Sequence, residues 1–236
     1  MKDLKGKVAY ITGGSKGIGY GIAAILLQQG MKVAISGRHR KDLEEAAEGL
    51  GGTNVLPLVS DVCKMADEKA AVNKIMYTWG QLDVVVANAG VGHFAPIDEM
   101  EEEAWNRMID TNLNGVFHTL KAALPALKKS RGYYITIASL AGTNFFARGA
   151  GYNATKFGVV GFTQAVMLDL RPYDIKVSTI MPGSVATYFN GHIPNEADAW
   201  KIQPEDIGKL VLDLLRMHPR TLPSKIEVRP TRPDLK

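Results

Sequence analysis

The stretch Lys7-Val8-Ala9-Tyr10-Ile11-Thr12-Gly13-Gly14-Ser15-Lys16-Gly17-Ile18-Gly19 joins an apolar, β-branched run to a glycine-rich loop that opens straight into a segment of helical period reaching Gln29. Glycine permits a tight turn and close approach of backbone to a ligand, and the free amides at a helix N-terminus attract phosphate. Strand, glycine loop and helix in that order therefore read as the first unit of a parallel sheet with a pyrophosphate cradle. The plainer reading is a turn that only needs positive φ. The spacing Gly13-x-x-x-Gly17-x-Gly19 is neither the P-loop, whose Gly-Lys-Ser/Thr ending is missing, nor the G-x-G-x-x-G form.

Outward from this unit, short β-branched runs keep alternating with longer helical segments, the pattern of βα units. Strands are expected at 7–12, 32–36, 54–60, 82–89, 132–139, 175–181 and 225–229, several of them apolar enough to be covered on both faces. Helices are expected at 17–29, 40–49, 65–79, 101–129, 152–171 and 204–217, with Asn114 and Gly115 as a bend in the long one. No linker or fixed-period repeat interrupts the chain. The expected architecture is α/β: one doubly wound Rossmann-type domain over 1–236, with a seven-stranded, mainly parallel sheet and helices on both faces. Residues 184–203 lack periodicity and fall beyond the sixth strand, where ligands bind in open α/β sheets, so they are expected to form a short substrate lid.

Composition narrows the function classes. The chain has 236 residues, 46% hydrophobic and 22% charged, as ordinary globular proteins have. One cysteine, Cys63, cannot make an internal disulfide, which fits a reducing, cytoplasmic setting. No apolar run approaches the ~18 residues of a membrane span, and the N-terminus turns polar before a signal sequence could form. The formal charge of +4 invites a nucleic-acid partner, yet the six basic and two acidic residues from Arg216 to Lys236 carry the whole excess, so neither nucleic acid nor membrane is expected. The five histidines are scattered and Cys63 has no partner at metal spacing, so no metal is expected.

The second strand runs into Ile35-Ser36-Gly37-Arg38-His39-Arg40, with no acid before Asp42. An acid at this place favours a free ribose 2′-hydroxyl and an arginine a 2′-phosphate, so Arg38, with Lys16 in the glycine loop, points to NADP(H). Otherwise Arg38 is only a solvated charge opening a helix. Tyr152-Asn153-Ala154-Thr155-Lys156 opens the fifth helical segment, and an i, i+4 pair shares one helix face. A cation beside a phenol favours the phenolate; reaching neutral range from ~10 takes about 3 units. By itself the pair is common.

Tyr152 follows Ser139 by 13 residues, Asn112 stands in the preceding long helix, and the fourth and sixth strands end in Asn88-Ala89-Gly90 and Pro182-Gly183 with Thr187 beyond. In the order and spacing of these motifs, with Asp61-Val62 after the third strand, the chain resembles the short-chain dehydrogenase/reductase family, in its 3-oxoacyl-[acyl-carrier-protein] reductase-like branch, from about Lys7 to Thr187 and more weakly beyond. The resemblance implies an oxidoreductase using NADP(H). Tyr152 would be the general acid for carbonyl reduction and the base for alcohol oxidation, Lys156 would lower its pKa and bind the nicotinamide ribose, Ser139 would hold the substrate oxygen, and Asn112 would hold a water in a proton relay. It places the cofactor against Gly13, Ser15, Lys16, Gly17, Ile18, Gly19, Arg38, Asp61, Val62, Asn88, Ala89, Gly90, Tyr152, Lys156, Pro182, Gly183, Val185 and Thr187. Taken singly, Asp61 also reads as a helix cap, Asn88 as a turn residue and Ser139 as a strand terminus.

Ala87 and Ala138 depart from the family's more frequent asparagine and serine, and the 20-residue interval from Ser184 to Gln203 is shorter than in many members, implying a more open pocket. His93, Phe94, Phe145 and Phe146 either border the substrate or cap the core. The expected reaction is reduction of a ketone or aldehyde, such as a 3-oxoacyl thioester or a small carbonyl compound. Its alternatives are oxidation of an alcohol by NAD(P) and a non-catalytic NADP-binding regulator. The resemblance further implies a homodimer or homotetramer.

Overall fold

The computed structural model describes residues 3–232, so Asp234 and Lys236 of the basic C-terminal stretch lie outside the described residues. Seven strands form one sheet: β1 Val8–Thr12, β2 Lys32–Gly37, β3 Val55–Val59, β4 Val84–Ala87, β5 Tyr133–Ile137, β6 Lys176–Pro182 and β7 Lys225–Val228. Their order is β3-β2-β1-β4-β5-β6-β7, and every neighbouring pair runs parallel. Parallel neighbours need crossovers, and the helices α1 Gly17–Gln28, α2 Arg40–Gly49, α3 Met65–Trp79, α4 Glu102–Ile109, α5 Gly115–Ser130, α6 Ala150–Leu170 and α7 Pro204–Arg216 provide them. Pro57, which has no ladder donor, sits in β3 at the sheet's edge, where that loss is tolerated.

Side-chain alternation sends each strand into two cores. Ala9 and Ile11 of β1, with Val84 and Val86 of β4, pack under Ile22, Leu26, Leu43 and Ile207 on the α1, α2 and α7 face. Val8, Tyr10, Val85 and Ala87 point the other way, against Ile75, Leu120 and Val159 of α3, α5 and α6. Asp83, 2% exposed, ties the near ends of β1 and β4 by accepting from the Val8 amide and from Lys7 Nζ, both at 2.9 Å. The chain reverses its winding between β1 and β4, and the loops leaving those two strands open a crevice at the carboxyl edge of the sheet.

The expected helix over 101–129 is two helices, α4 and α5, joined by a π-helical turn at Asp110–Asn114. Apolar spacings of three and four are shared by both arrangements, so the sequence pattern did not separate them. Such π-turns recur at functional sites, and this one carries Asn112 inward until it is wholly buried.

Candidate active site

The glycine loop after β1 is shaped as its sequence requires. Gly17 has φ +58, and a Cβ added at Gly19 would collide with the Gly13 carbonyl oxygen. Asn88, at the end of β4, donates through Nδ2 to the carbonyls of Thr12 (2.9 Å) and Gly13 (3.1 Å) and pins the loop across the crevice. Lys16 stands at the N-cap of α1 with no side-chain cap, and no acid lies in that helix's first turn. The leading amides of α1 therefore meet the crevice unneutralised, as an anion site needs. A cavity of about 670 Å³ follows the loop; Ser15, Lys16 and Arg38 line one end and Asp61 and Val62 another. Gly13, Gly17, Ile18, Asn88, Ala89 and Gly90 border the same space. A phosphate-rich ligand fits this donor set, although Asp42 shares the wall with Arg38.

At the far end of that cavity Tyr152 and Lys156 project from the first turns of α6. Lys156 is 5% exposed, and its Nζ lies 5.6 Å from the Tyr152 ring centroid and donates to the Ile137 carbonyl at 3.1 Å. Burial pulls the Lys156 ammonium down to about 8. The same burial pushes the Tyr152 phenol up to about 12, with Ser139 alone opposing it. In the chain without cofactor, burial dominates the Tyr152 phenol, while Lys156 stands 5.6 Å from its ring. Ser139 Oγ accepts from the Ala141 amide at 3.1 Å, which leaves its hydroxyl hydrogen for another acceptor.

Asn112 is tied into the loop after β4 by its side chain. Its Oδ1 accepts from the Val91 amide (2.8 Å), and Nδ2 donates to the Val91 carbonyl (2.9 Å) and to Thr155 Oγ1 (3.0 Å). Both amide hydrogens are committed to protein, so the side chain locks the loop after β4 to α6. Asn153 plays a matching part unseen in the sequence, holding the Ala141 and Asn144 carbonyls at 2.7 Å and so fixing the Ser139 turn.

A second cavity, about 850 Å³, meets the first at Tyr152. Ser139, Pro182, Gly183 and Val185 border it, and Thr187 faces both. Residues 184–203 are pinned at their ends, with Ala186 N bonded to Ile202 O (2.9 Å) and Ile202 N to Ser184 O (3.1 Å). Phe189 reaches from this segment to 5.6 Å from the Tyr152 ring and rests on Gly92. The short interval does not leave the tyrosine open, because one aromatic ring does the covering. Phe94 stacks edge-on to Tyr152 (5.5 Å) and Phe146 (5.6 Å), and Phe146 lines the second cavity. His93 borders the first; Phe145 lines the second beside Phe146, 82% exposed and stacked on Phe157. Sequence reasoning missed Phe189 and the hub below it, Asp198; the Asn195-x-x-Asp198 capping spacing was the available signal.

The buried lysine has a measurable cost. With a folded value near 8 against 10.5 free, Lys156 binds more protons when the chain is unfolded, so stability rises with pH between those values and the penalty is complete below 8. Its full size is about 3 kcal/mol, offset by about 1 kcal/mol for the bond to Ile137. Lys156→Met is therefore expected to melt several degrees higher at pH 7, with the gain gone above pH 10.5. Thermal denaturation at the two pH values checks it, and a lower melting point at pH 7 would contradict the burial argument.

Residues 7–198 match the short chain dehydrogenase family. An uncharacterized oxidoreductase of Staphylococcus aureus (strain MRSA252) is 35% identical over 231 residues, covering 98% of this chain and 100% of its own. Among solved structures, an alcohol dehydrogenase from Thermococcus sibiricus complexed with 5-hydroxy-NADP superposes with a TM-score of 0.91 at 33% identity, covering 98% of this chain and 100% of that one. A 3-ketoacyl-(acyl-carrier-protein) reductase from Brucella melitensis complexed with NADH gives 0.87 at 27%, covering 98% and 99%.

Proposed function

This chain belongs to the short-chain dehydrogenase family, and from that premise we propose that it is an NADPH-dependent reductase of ketones or aldehydes. The observation that carries the reading is a buried Tyr152 with Ser139 and Lys156 where two cavities meet. Relatives differ in the cofactor their structures contain, NADP-derived in one and NADH in another, so the choice rests on this chain's own Lys16 and Arg38.

The first turn of α1, Ser15 and Lys16 would hold the pyrophosphate, Arg38 the 2′-phosphate, and Asp61 and Val62 the adenine side. Asn88, Ala89 and Gly90 would wall the middle, with Pro182, Gly183, Val185 and Thr187 by the carboxamide. The bound cofactor supplies the hydride that reduces the carbonyl carbon. Ser139 donates to the carbonyl oxygen and draws electron density toward it. Tyr152 passes its hydroxyl proton to that oxygen, completing the alcohol, and Lys156 stabilises the phenolate left behind. Asn112 keeps the loop after β4 and α6 in register for this, and residues 184–203, through Phe189, exclude water from the reacting carbonyl.

The test is oxidation of NADPH and NADH, side by side, with a panel of ketones, aldehydes and 3-oxoacyl thioesters. Turnover with NADPH on some members is expected. NADPH binding without turnover of any would turn the assignment toward a regulator.

A further inference from the structure

The second cavity has a mixed wall. With Tyr152 and Ser139 it is lined by the apolar Leu140, Phe146, Phe189 and Trp200 and also by His192, Lys201 and Arg229, and among the described residues no carboxylate lines it. Each of these three groups is paired with an acid. Asp198, 5% exposed, takes Lys201 Nζ and His192 Nε2, each at 2.6 Å, and Glu227 takes one nitrogen of Arg229 at 2.9 Å.

These partners orient the three groups without using them up. Lys201 keeps two ammonium hydrogens and Arg229 four of its five N–H donors. Arg229 has no part in the Asp198 cluster and comes from the end of β7, so two separate elements bring cations to one cavity. A basic wall with low-dielectric sides focuses positive potential inward and draws an anion. The volume, about 850 Å³, suits a ligand of drug-like size.

We infer that the carbonyl compound reduced at Tyr152 is a largely apolar ketone ending in an oxyanion, a carboxylate or phosphate, received by Lys201, His192 and Arg229. This rests on the reading of Tyr152 as the proton donor. The apolar residues take the body of the substrate, Ser139 and Tyr152 take its carbonyl, and the cations fix the far end, so that binding at a distance orients the reacting bond.

The experiment compares 4-acetylbenzoate, its methyl ester and 4-acetylphenyl phosphate, with NADPH oxidation and tryptophan fluorescence as separate readouts, Trp200→Phe marking the signal of the cavity. The acid is expected to exceed the ester in kcat/KM by about tenfold, the scale of one charge-assisted contact. That ratio should fall toward one in Arg229→Met, in Lys201→Met, and at about 0.5 M salt. Arg229→Met leaves Asp198 fully paired, so a loosened loop cannot account for its effect. A phosphate ester preferred over the carboxylate identifies the oxyanion as phosphate.

An ester used as well as the acid, or a ratio unmoved by both variants, overturns the inference while leaving carbonyl reduction intact. If none of the three is turned over, the proton-donor reading fails for this class. The fluorescence arm then decides the anion site alone: acid or phosphate bound about tenfold more tightly than ester supports it, and equal binding overturns it.

Discussion

Replacing Tyr152 by phenylalanine is expected to lower kcat by about 10²–10⁴-fold, the usual contribution of a positioned proton donor, while NADPH binds nearly as before. The phenylalanine ring keeps the packing with Phe94 and Phe189, since both contacts are made by the ring and not by the hydroxyl. Tyr152 faces both cavities with Ser139 beside it, so loss of the hydroxyl removes one polar contact and leaves the ring packing in place. Steady-state kinetics with the best substrate of the panel, together with titration of NADPH, separates the two effects. Near-normal turnover in Tyr152→Phe would remove the proton-donor role.

Changing Arg38 to aspartate is expected to lower the NADPH/NADH ratio of kcat/KM by about 10²–10³-fold. A charge-assisted contact to phosphate is worth about 1.5–3 kcal/mol, and an acid in its place repels the 2′-phosphate while accepting from a free 2′-hydroxyl. Arg38 is exposed at the end of β2 and, among the described residues, makes no ion pair, so it can turn to a phosphate without giving up a partner. Asp42 lies on the same wall and remains in the variant, which should help the hydroxyl form of the ribose. Kinetics with both cofactors at equal ionic strength measure the ratio; an unchanged one would show that the 2′-phosphate is held elsewhere.

Much of this was legible in the chain because it depends on neighbours in sequence. The strand, glycine loop and helix around Gly17 and Gly19 are local, as is the i, i+4 spacing of Tyr152 and Lys156 on α6. The π-turn at Asp110–Asn114 was not legible, since one extra residue per turn hardly disturbs an apolar pattern of threes and fours. Nor was the locking of Asn112 to Val91, which joins residues 21 apart across two elements. The role of Asp198 was hidden for another reason. An acid in an aperiodic stretch looks solvated until folding places His192 and Lys201 against it, which holds its carboxyl well below the usual range.

By itself the sequence determined the βα alternation and the strand, glycine loop and helix unit, and through family resemblance it proposed the set Asn112, Ser139, Tyr152 and Lys156, because patterning and motif spacing are written along the chain. Only the tertiary structure decided the surroundings of that set. Burial raises Tyr152 to about 12 and lowers Lys156 to about 8, and Phe189 closes over them while cations line the second cavity. Desolvation depends on everything packed around a group, and that is a property of the folded chain.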